Sequence, residues 1–355
     1  MKQPNRKVLV ILSFFIVGFM VLALVLAFKT DRTKLMDAFH HIQMVQMLFA
    51  LACTGTAYTA FVLSFNGLFT MTPHRVPFNR FYSIMFISYT INFIASSGGW
   101  TGVMLRAYLL KFEKVPYSVT VPVSLAQNTV FNLVLACVSF GGLIFLREHP
   151  EFIGSEREVL VLLFMLGLAA VVAVMLLIFL NRRFRKWFLR RSIILGNWLG
   201  KTFLRKQTSY QRLVEIRNNM EKTMQFLHRD WWRLLGVLFW VVMDWVFTAL
   251  TLYFCFRAVG VALPLGLLMV GFTVMFLTST INPVPAGLGI SEVALAGVFS
   301  RLGVDFEQTL AAALLFRFVF YLLPMAVSTA LYLDTMRTFL KQEENIEGAI
   351  KSTRS

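Results

Sequence analysis

The feature that most constrains this chain is a series of apolar stretches long enough to cross a bilayer. A membrane-spanning helix needs about 20 consecutive apolar residues, and six uninterrupted stretches reach that length. They lie at residues 8–28, 44–69, 117–146, 159–180, 234–256 and 306–333. With 57% hydrophobic and 15% charged residues, the sequence predicts an all-α polytopic membrane protein and excludes the soluble classes.

Two further apolar stretches are interrupted by residues that an ordinary membrane helix lacks. Residues 81–110 are broken at 96–102, a segment rich in serine and glycine. Residues 263–302 are broken at 280–292, where two prolines, two glycines and a glutamate occur close together. Proline removes a backbone donor and glycine loosens the helix, so the freed backbone groups need protein or water in a cavity. Such breaks mark binding sites in transporters; a kink that serves only packing is the alternative.

The positions of Lys and Arg predict that each broken stretch enters and leaves the membrane on one side. Short cytoplasmic loops collect basic residues, and with this topology the cytoplasmic segments hold 25 of the 34 Lys and Arg. If residues 81–110 crossed the membrane only once, the basic loop 181–233 and the N-terminus would lie on opposite sides of the membrane. We therefore predict six full spans and two re-entrant hairpins in the inner (cytoplasmic) membrane, with both termini cytoplasmic. Two short complete helices per broken stretch would give the same topology.

The second half of this predicted order repeats the first half in the opposite orientation. Inverted repeats whose sites lie at broken helices are an architecture of transporters. The tripeptide Thr-Ile-Asn occurs at 90–92 and again at 280–282, once at each break. The predicted bounds are 1–340 for a single membrane domain, 1–147 and 158–335 for its inverted halves, and 341–355 for a polar cytoplasmic tail.

The loop 181–233 contains 14 of the basic residues and contributes much of the net charge of +16. Its first part, 181–191, mixes basic and aromatic residues directly after a predicted span. Such a mixture can bind nucleic acid, but beside a membrane exit it is more typical of a helix lying on anionic lipid. We therefore predict membrane lipids, mainly anionic ones, as partners, and no nucleic acid.

Four ionisable side chains fall within apolar stretches, namely Arg106, Asp244, Glu292 and Arg317. Each costs about 2.5 to 3.5 kcal/mol at a helix centre, so each is expected to face a partner, the protein interior or water. A guanidinium at Arg106 suits an anionic headgroup. Glu292 suits a cationic headgroup, proton coupling, or pairing with Arg106 or Arg317, and Asp244 is the weakest candidate. Buried salt bridges that only fix the packing are the alternative.

The candidate headgroup cavity combines these charges with polar and small residues at both breaks. Glycine lets the backbone approach a ligand, and hydroxyl and amide groups bind polar headgroups. The primary candidates are Arg106, Glu292, Arg317, Asn92, Asn282, Ser97, Thr101, Gly98, Gly99, Gly102, Pro283, Pro285, Gly287 and Gly289, and the secondary candidates are Asp244, Tyr321, Gln127 and Asn128. The sequence contains no residue pattern typical of a metal site, a cofactor site or a catalytic site. A transporter is therefore favoured over an enzyme. Its oligomeric state stays open.

Two motifs resemble the lysylphosphatidylglycerol synthase/flippase transmembrane-region family. Residues 282–292, Asn-Pro-Val-Pro-Ala-Gly-Leu-Gly-Ile-Ser-Glu, resemble its Pro-Gly-Gly-Leu-Gly-x-x-Glu motif. Residues 98–110 resemble an earlier motif that ends in Arg-Ala-x-Leu-Leu, and Arg317, Tyr321 and Pro324 resemble the pattern of its last helix. The resemblance covers nearly the whole chain and implies a flippase-like protein of a bacterial or archaeal inner membrane.

The resemblance also implies a substrate class, since the better known members translocate aminoacylated phosphatidylglycerol and relatives are linked to hopanoids or lipid-linked sugars. Two departures leave the headgroup open: residues 99–103 lack an expected Pro-Gly and acidic residue, and Gln127-Asn128 replaces a common acidic and basic pair. The sequence ends about 20 residues after the last predicted span, so no soluble aminoacyl transferase domain is expected. We predict a lipid flippase-like transporter. The alternative is a membrane enzyme, or an accessory subunit of a separate aminoacyl or glycosyl transferase.

Overall fold

The computed structural model describes residues 31–94, 100–148, 231–281, 287 and 289–352, together with isolated positions between 166 and 191. Over these residues the chain forms helices and connecting turns, with no strand. Several predicted features lie outside the described residues: the span 8–28, most of the span 159–180, most of the loop 181–233, and the break residues 95–99, 282–286 and 288.

The structure describes ten α-helices in these residues. In chain order they are α1 (Arg32–His40), α2 (Met44–Phe69), α3 (Phe78–Ile94), α4 (Trp100–Phe112), α5 (Tyr117–Glu148), α6 (Trp231–Ala258), α7 (Leu265–Ile281), α8 (Ile290–Arg301), α9 (Phe306–Arg317) and α10 (Leu323–Ser352). One turn of π-helix, Phe318–Leu322, joins α9 to α10 without a break.

Four helical segments of the described residues are long and apolar enough to cross a membrane. They are Met44–Phe69, Tyr117–Phe145, Trp232–Ala258 and Phe306–Thr338. Each coincides with one of the predicted spans, and the last continues as a helix to Ser352. The chain is therefore a helical membrane protein with several membrane-spanning segments, as predicted.

Helices α2 and α6 lie against each other along most of their length and form the centre of the bundle. The main-chain amide of Gln43 donates to the carbonyl of Ala258 (2.9 Å), which places the beginning of α2 beside the end of α6. Ala50, Cys53 and Ala57 on α2 are buried, and the hydroxyl oxygens of Thr54 on α2 and Thr251 on α6 lie 3.4 Å apart. Small side chains of this kind allow membrane helices to approach closely.

The first broken stretch forms a pair of short antiparallel helices. Helix α3 has 17 residues and α4 has 13, fewer than the roughly 20 that a straight span requires. The NH1 of Arg80, near the beginning of α3, pairs with Oε1 of Glu113 directly after α4 (3.0 Å). The two outer ends of this pair therefore lie at the same end of the bundle.

The second broken stretch forms a comparable pair from α7, with 17 residues, and α8, with 12. These helices also contact each other, and Gly271 on α7 lies directly against α8. A Cβ added at Gly271 would approach the ring of Phe299 to 2.5 Å. Interruption of both apolar stretches was predicted correctly.

The extent of the first break was predicted incorrectly, because α4 begins at Trp100, inside the predicted interruption 96–102. The reason is close packing at Gly102. A Cβ at this position would lie 2.7 Å from the carbonyl oxygen of Ser88 and 2.8 Å from the Cβ of Asn92. Gly102 is thus a helical residue whose small size allows α4 to contact α3.

Helix α1 begins beside the N-terminal end of α9. The amide of Asp31 donates to Oε1 of Glu307 (3.2 Å), and Asp31 caps α1 by accepting a bond from the amide of Thr33 (3.0 Å). Hydrogen bonds from the hydroxyl of Thr33, which has the larger effect, and from its amide lower the pKa of Asp31 below its usual value. Together with the bond between Gln43 and Ala258, these contacts gather the loops around α1, α2, α6 and α9 at one end of the bundle.

Contacts between helices occur in matching pairs. Helix α3 packs against α10 as α7 packs against α5, and α4 packs against α5 as α8 packs against α9. Helices α2 and α6 pack against each other at the centre. Helix α2 corresponds to α6, α3 to α7, α4 to α8, and α5 to the continuous α9–α10 helix. If the two members of each pair are exchanged, the same helices are in contact.

Candidate functional site

Arg106, on α4, is buried in a cradle of neutral polar groups and is 2% exposed. Its Nε donates to Oγ of Ser88 (3.2 Å), while its NH1 donates to Oε1 of Gln127 (2.9 Å) and contacts Oγ of Ser124 (3.5 Å). Among the described residues no carboxylate contacts this guanidinium. The cradle therefore satisfies hydrogen-bond donors without neutralising the positive charge.

The cradle is held in place by a second set of contacts to α2. The amide nitrogen of Gln127 donates to Oγ of Ser64 (2.7 Å) and to the carbonyl of Phe61 (3.2 Å), which fixes its oxygen towards Arg106. The guanidinium lies over the rings of Phe61 (5.2 Å) and Phe65 (4.5 Å). Aromatic faces stabilise a cation that is removed from water.

A buried ion pair joins the other two predicted site charges. Glu292 lies in the first turn of α8, Arg317 is the last residue of α9, and Nε of Arg317 donates to Oε1 of Glu292. Glu292 is 0% exposed and Arg317 is 5% exposed. Of the two partners that the sequence allowed for Glu292, the structure shows Arg317.

This ion pair leaves several polar atoms without a hydrogen-bond partner among the described residues. They are Oε2 of Glu292 and both terminal nitrogens of Arg317. The guanidinium also lies over the ring of Tyr321 (4.4 Å). Buried polar atoms normally have partners, since each unsatisfied group costs about 1–3 kcal/mol. The pair is therefore suited to bind a polar ligand that offers both an acceptor and a donor.

Glycine is required in the backbone that leads into α8. Gly287 and Gly289 adopt φ angles of 62° and 79°, in the left-handed region that other residues rarely occupy. Gly289 is the residue before the helix, and Glu292 follows in its first turn. These two glycines of the second motif therefore set the direction in which α8 starts and presents its carboxylate.

A turn of π-helix follows Arg317 and contains Tyr321. Pro324 has no amide hydrogen, so it cannot bond to the carbonyl of Phe320, its usual partner four residues earlier. The hydroxyl of Tyr58 on α2 donates to that carbonyl instead (3.1 Å). Turns of π-helix are frequent at functional sites, and here the turn lies directly after the buried guanidinium.

Asp244, on α6, is the fourth intramembrane charge that the sequence identified. It is 0% exposed, and both of its carboxyl oxygens lie 3.0 Å from the hydroxyl of Tyr89 on α3. The hydroxyl of Thr248 donates to the main-chain carbonyl of Asp244 (2.8 Å). Tyr89 therefore supplies Asp244 with a hydrogen bond from a neighbouring helix.

An aromatic cluster connects the two guanidinium sites. The ring of Phe61, which contacts the first guanidinium, stacks on Tyr89 at 3.7 Å. Tyr89 contacts Phe93 (4.7 Å), and Phe93 contacts Tyr321 (5.5 Å), the ring beneath the second guanidinium. The charged residues thus lie at two ends of one layer of aromatic rings, with Asp244 bonded to its middle.

The remaining candidate residues fall into three groups. Asn92 lies beside Gly102 and its Oδ1 is buried without a partner in the described part of the chain. Thr101 is half-buried on α4, and the carbonyl of Asn128 accepts a bond from the side chain of Asn132 (2.7 Å). Ser97, Gly98, Gly99, Asn282, Pro283 and Pro285 lie outside the described residues.

Sequence reasoning missed Ser88, Ser124 and Tyr89, which contact the intramembrane charges. Each is a polar side chain within an otherwise apolar helix, and such residues commonly face the interior of a helix bundle. That position was a usable signal. Their partners on other helices could not be read from the sequence, because the contacts join residues 18 to 155 positions apart.

A protein-family profile described as "Lysylphosphatidylglycerol synthase TM region" matches residues 10–328. The chain belongs to this family. The match confirms the resemblance that the two motifs indicated, and it covers the helices that hold Arg106, Glu292 and Arg317.

Relatives of this family differ greatly in how much of them the chain covers. A UPF0104 membrane protein of Methanothermobacter thermautotrophicus is 24% identical over 262 residues, which cover 70% of this chain and 72% of that protein. A phosphatidylglycerol lysyltransferase of Staphylococcus xylosus is 30% identical over 112 residues, 31% of this chain but only 13% of that protein. A protein of the same name from Staphylococcus aureus (strain MRSA252) is 29% identical over 106 residues, which cover 12% of that protein. The chain thus matches only a small part of these lysyltransferases.

Proposed function

We propose that this protein is a flippase-like transporter that binds a polar or anionic lipid, including aminoacylated ones, and moves its headgroup across the cytoplasmic membrane. The observation that carries this proposal is the buried pair of Glu292 and Arg317 with unpartnered polar atoms on both members. Charged groups inside a membrane bundle are costly, and they commonly mark the pathway of a polar substrate.

The two members of the pair suit different parts of a headgroup. The terminal nitrogens of Arg317 are donors in a planar arrangement that matches phosphate oxygens. The second oxygen of Glu292 is an acceptor that suits an ammonium group. A phosphodiester that carries an amine therefore fits both members, whereas a purely anionic headgroup uses only the guanidinium.

Arg106 supports an anionic substrate independently. Its charge has no contacting carboxylate among the described residues, since Gln127 supplies a neutral acceptor. Gln127 replaces the acidic residue that the family resemblance led us to expect. The cradle around Arg106 therefore keeps a net positive charge that attracts a phosphate.

We also propose that the two halves form an inverted repeat with a re-entrant hairpin in each, as predicted from the charge distribution. The matching helix contacts support this arrangement. So do the two polar pairs, because Arg106 and Gln127 join α4 to α5 while Glu292 and Arg317 join the corresponding helices α8 and α9. In transporters of this architecture the substrate binds between the repeats.

The test is movement of headgroup-labelled lipids in vesicles that contain the purified full-length chain. Labelled phosphatidylglycerol and phosphatidylethanolamine compare an anionic with a zwitterionic headgroup. We expect faster exchange between leaflets than in protein-free vesicles, and loss of this acceleration in Arg317→Gln. Thr273→Val is the matched control, because Thr273 is buried but bonds to a carbonyl of its own helix. Exchange that is equal in the wild type, Arg317→Gln and protein-free vesicles would refute the proposal.

A second candidate is an accessory subunit of a lipid-modifying transferase on another chain. The local similarity to proteins named phosphatidylglycerol lysyltransferase favours it. This alternative predicts that the purified chain moves no lipid but increases product formation when a lipid aminoacyl transferase is added. Measuring both activities on the same vesicle preparation separates the two candidates.

A further inference from the structure

The pair of Asp244 and Tyr89 differs from the other buried charges because it contains no cation. Asp244 lies on the central helix α6 and is fully buried. Both of its carboxyl oxygens are 3.0 Å from a single phenol oxygen. The hydroxyl of Thr248 donates to the main-chain carbonyl of Asp244 (2.8 Å) and also lies close enough to bond to its carboxyl group. Among the described residues no Lys, Arg or His contacts the carboxyl group.

Among the described residues, the carboxyl group of Asp244 has only neutral hydroxyl groups as donors. A tyrosine hydroxyl has one proton, so Tyr89 donates to one carboxyl oxygen at a time. A buried carboxylate with only neutral donors and no cation is costly. A proton on the carboxyl group completes the pair, because the phenol then donates to one oxygen and the carboxyl O–H donates back to the phenol oxygen.

Aromatic rings lie between the pair of Asp244 and Tyr89 and the other charged groups around it. On the side of α2, Tyr58 contacts the ring of Tyr89 at 4.9 Å. The ring of Phe61, also on α2, stacks on Tyr89 and contacts the guanidinium of Arg106.

Three further helices pack against α6. From α9, the ion pair of Arg317 and Glu292 is linked to Tyr89 through the rings of Tyr321 and Phe93. Helices α5 and α7 pack the rings of Phe131 and Phe272 against Trp245, the residue after Asp244. Arg106 and the ion pair therefore contact the same aromatic cluster as Asp244 without contacting its carboxyl group.

We propose that Asp244 and Tyr89 form a proton-binding site that couples headgroup movement to proton movement. This inference rests on the proposed lipid transport and adds its energy source. In the proton cycle, the carboxylate of Asp244 takes a proton from water on one side of the membrane, which forms a carboxyl O–H bond. That bond breaks when the site opens to the other side, and the proton returns to water there.

Arg106 provides the physical link between proton and lipid. In the proposed cycle, a phosphate near Arg106 offsets the charge of this guanidinium, which is linked to Tyr89 through the ring of Phe61, and so weakens any long-range attraction for a carboxylate at Asp244. Binding of an anionic headgroup and binding of a proton therefore favour each other, and this linkage is reciprocal. One phosphate charge and one proton together carry no net charge across the membrane.

The first experiment detects the proton directly and does not depend on transport. Infrared difference spectra of the reconstituted full-length chain, recorded between acidic and alkaline buffer, report the carbonyl stretch of a protonated carboxylic acid. We expect one such band that is lost in Asp244→Asn and shifted in Tyr89→Phe, which removes the hydroxyl but keeps the ring. The control Thr251→Val changes a buried hydroxyl on the same face of α6, two turns further along, and should retain the band.

The second experiment measures coupling in the vesicle assay with labelled phosphatidylglycerol and an imposed proton gradient. We expect the gradient to accelerate lipid movement in the wild type and in Thr251→Val, and expect this acceleration to be lost in Asp244→Asn. An equal gradient response in Asp244→Asn, or a titrating carboxyl band that persists in this variant, would overturn the proposal. If the wild type moves no lipid, the proposed function and its coupling both fail, while the infrared band still decides whether Asp244 binds a proton.

Discussion

Replacing Glu292 by glutamine separates the structural role of the buried ion pair from its proposed role in lipid binding. Glutamine keeps the size of the side chain but removes its charge, and Arg317 then remains buried without a counter-ion. Removing one partner of a buried pair costs about 3–5 kcal/mol, mainly through the charge that is left behind. We therefore expect Glu292→Gln to unfold at a clearly lower temperature than the wild type.

The double variant Glu292→Gln with Arg317→Gln provides the control. It removes both charges, so the penalty of an uncompensated charge disappears, and replacing a buried pair by neutral groups is often close to neutral. We expect the double variant to recover most of the stability that Glu292→Gln loses. Recovery of stability without recovery of lipid binding is the outcome that identifies a ligand site.

Two measurements on the same detergent-purified samples complete this test. Thermal unfolding followed by circular dichroism gives stability, and native mass spectrometry gives the amount of phosphatidylglycerol retained. A double variant that is stable and retains lipid as the wild type does would show that the pair only fixes packing. An unchanged unfolding temperature in Glu292→Gln would contradict the reasoning about a buried, charged Arg317.

Three further substitutions test other parts of the structure by the same thermal unfolding measurement. Gly102→Ala should lose about 1–3 kcal/mol through overpacking, since its Cβ would meet a backbone oxygen of α3 at 2.7 Å, whereas Gly55→Ala has no atom within 4 Å and should not be destabilised. Gly289→Ala should lose about 1–2 kcal/mol, because its φ of 79° is unfavourable for alanine. Gln127→Leu removes the neutral acceptor of Arg106 and should cost about 1–3 kcal/mol. Equal stability of Gly102→Ala and Gly55→Ala would contradict the packing argument. Wild-type stability of Gly289→Ala or of Gln127→Leu would contradict the reasoning for that position.

The long membrane helices could be predicted from the sequence because length and hydropathy are local properties. The predicted span 44–69 and helix α2 coincide, and the span 117–146 differs from α5 only at its end. Interruption of the two shorter stretches was also a local signal, since proline and paired glycines disfavour a continuous helix. The exact start of α4 was not a local signal. Gly102 belongs to this helix, and its close contact with α3 accounts for a glycine at this position.

The pairing of the buried charges was only partly predictable. Intramembrane charges identified Arg106, Asp244, Glu292 and Arg317 from residue type and hydropathy alone. Which of them would meet depends on how helices far apart in the chain pack together, and the sequence left Arg106 and Arg317 equally possible for Glu292. The structure shows that α8 and α9 are neighbours, which decides for Arg317.

The most direct test of lipid transport is chemical bleaching of a headgroup-labelled phosphatidylglycerol that is present in both leaflets of the vesicles. A membrane-impermeant reductant bleaches only the outer leaflet of protein-free vesicles. In vesicles with the wild-type chain we predict that nearly all of the label is bleached, because inner-leaflet lipid reaches the outer surface, and that Glu292→Gln with Arg317→Gln returns to the protein-free extent. Bleaching of the outer leaflet alone in wild-type vesicles would contradict the proposed function.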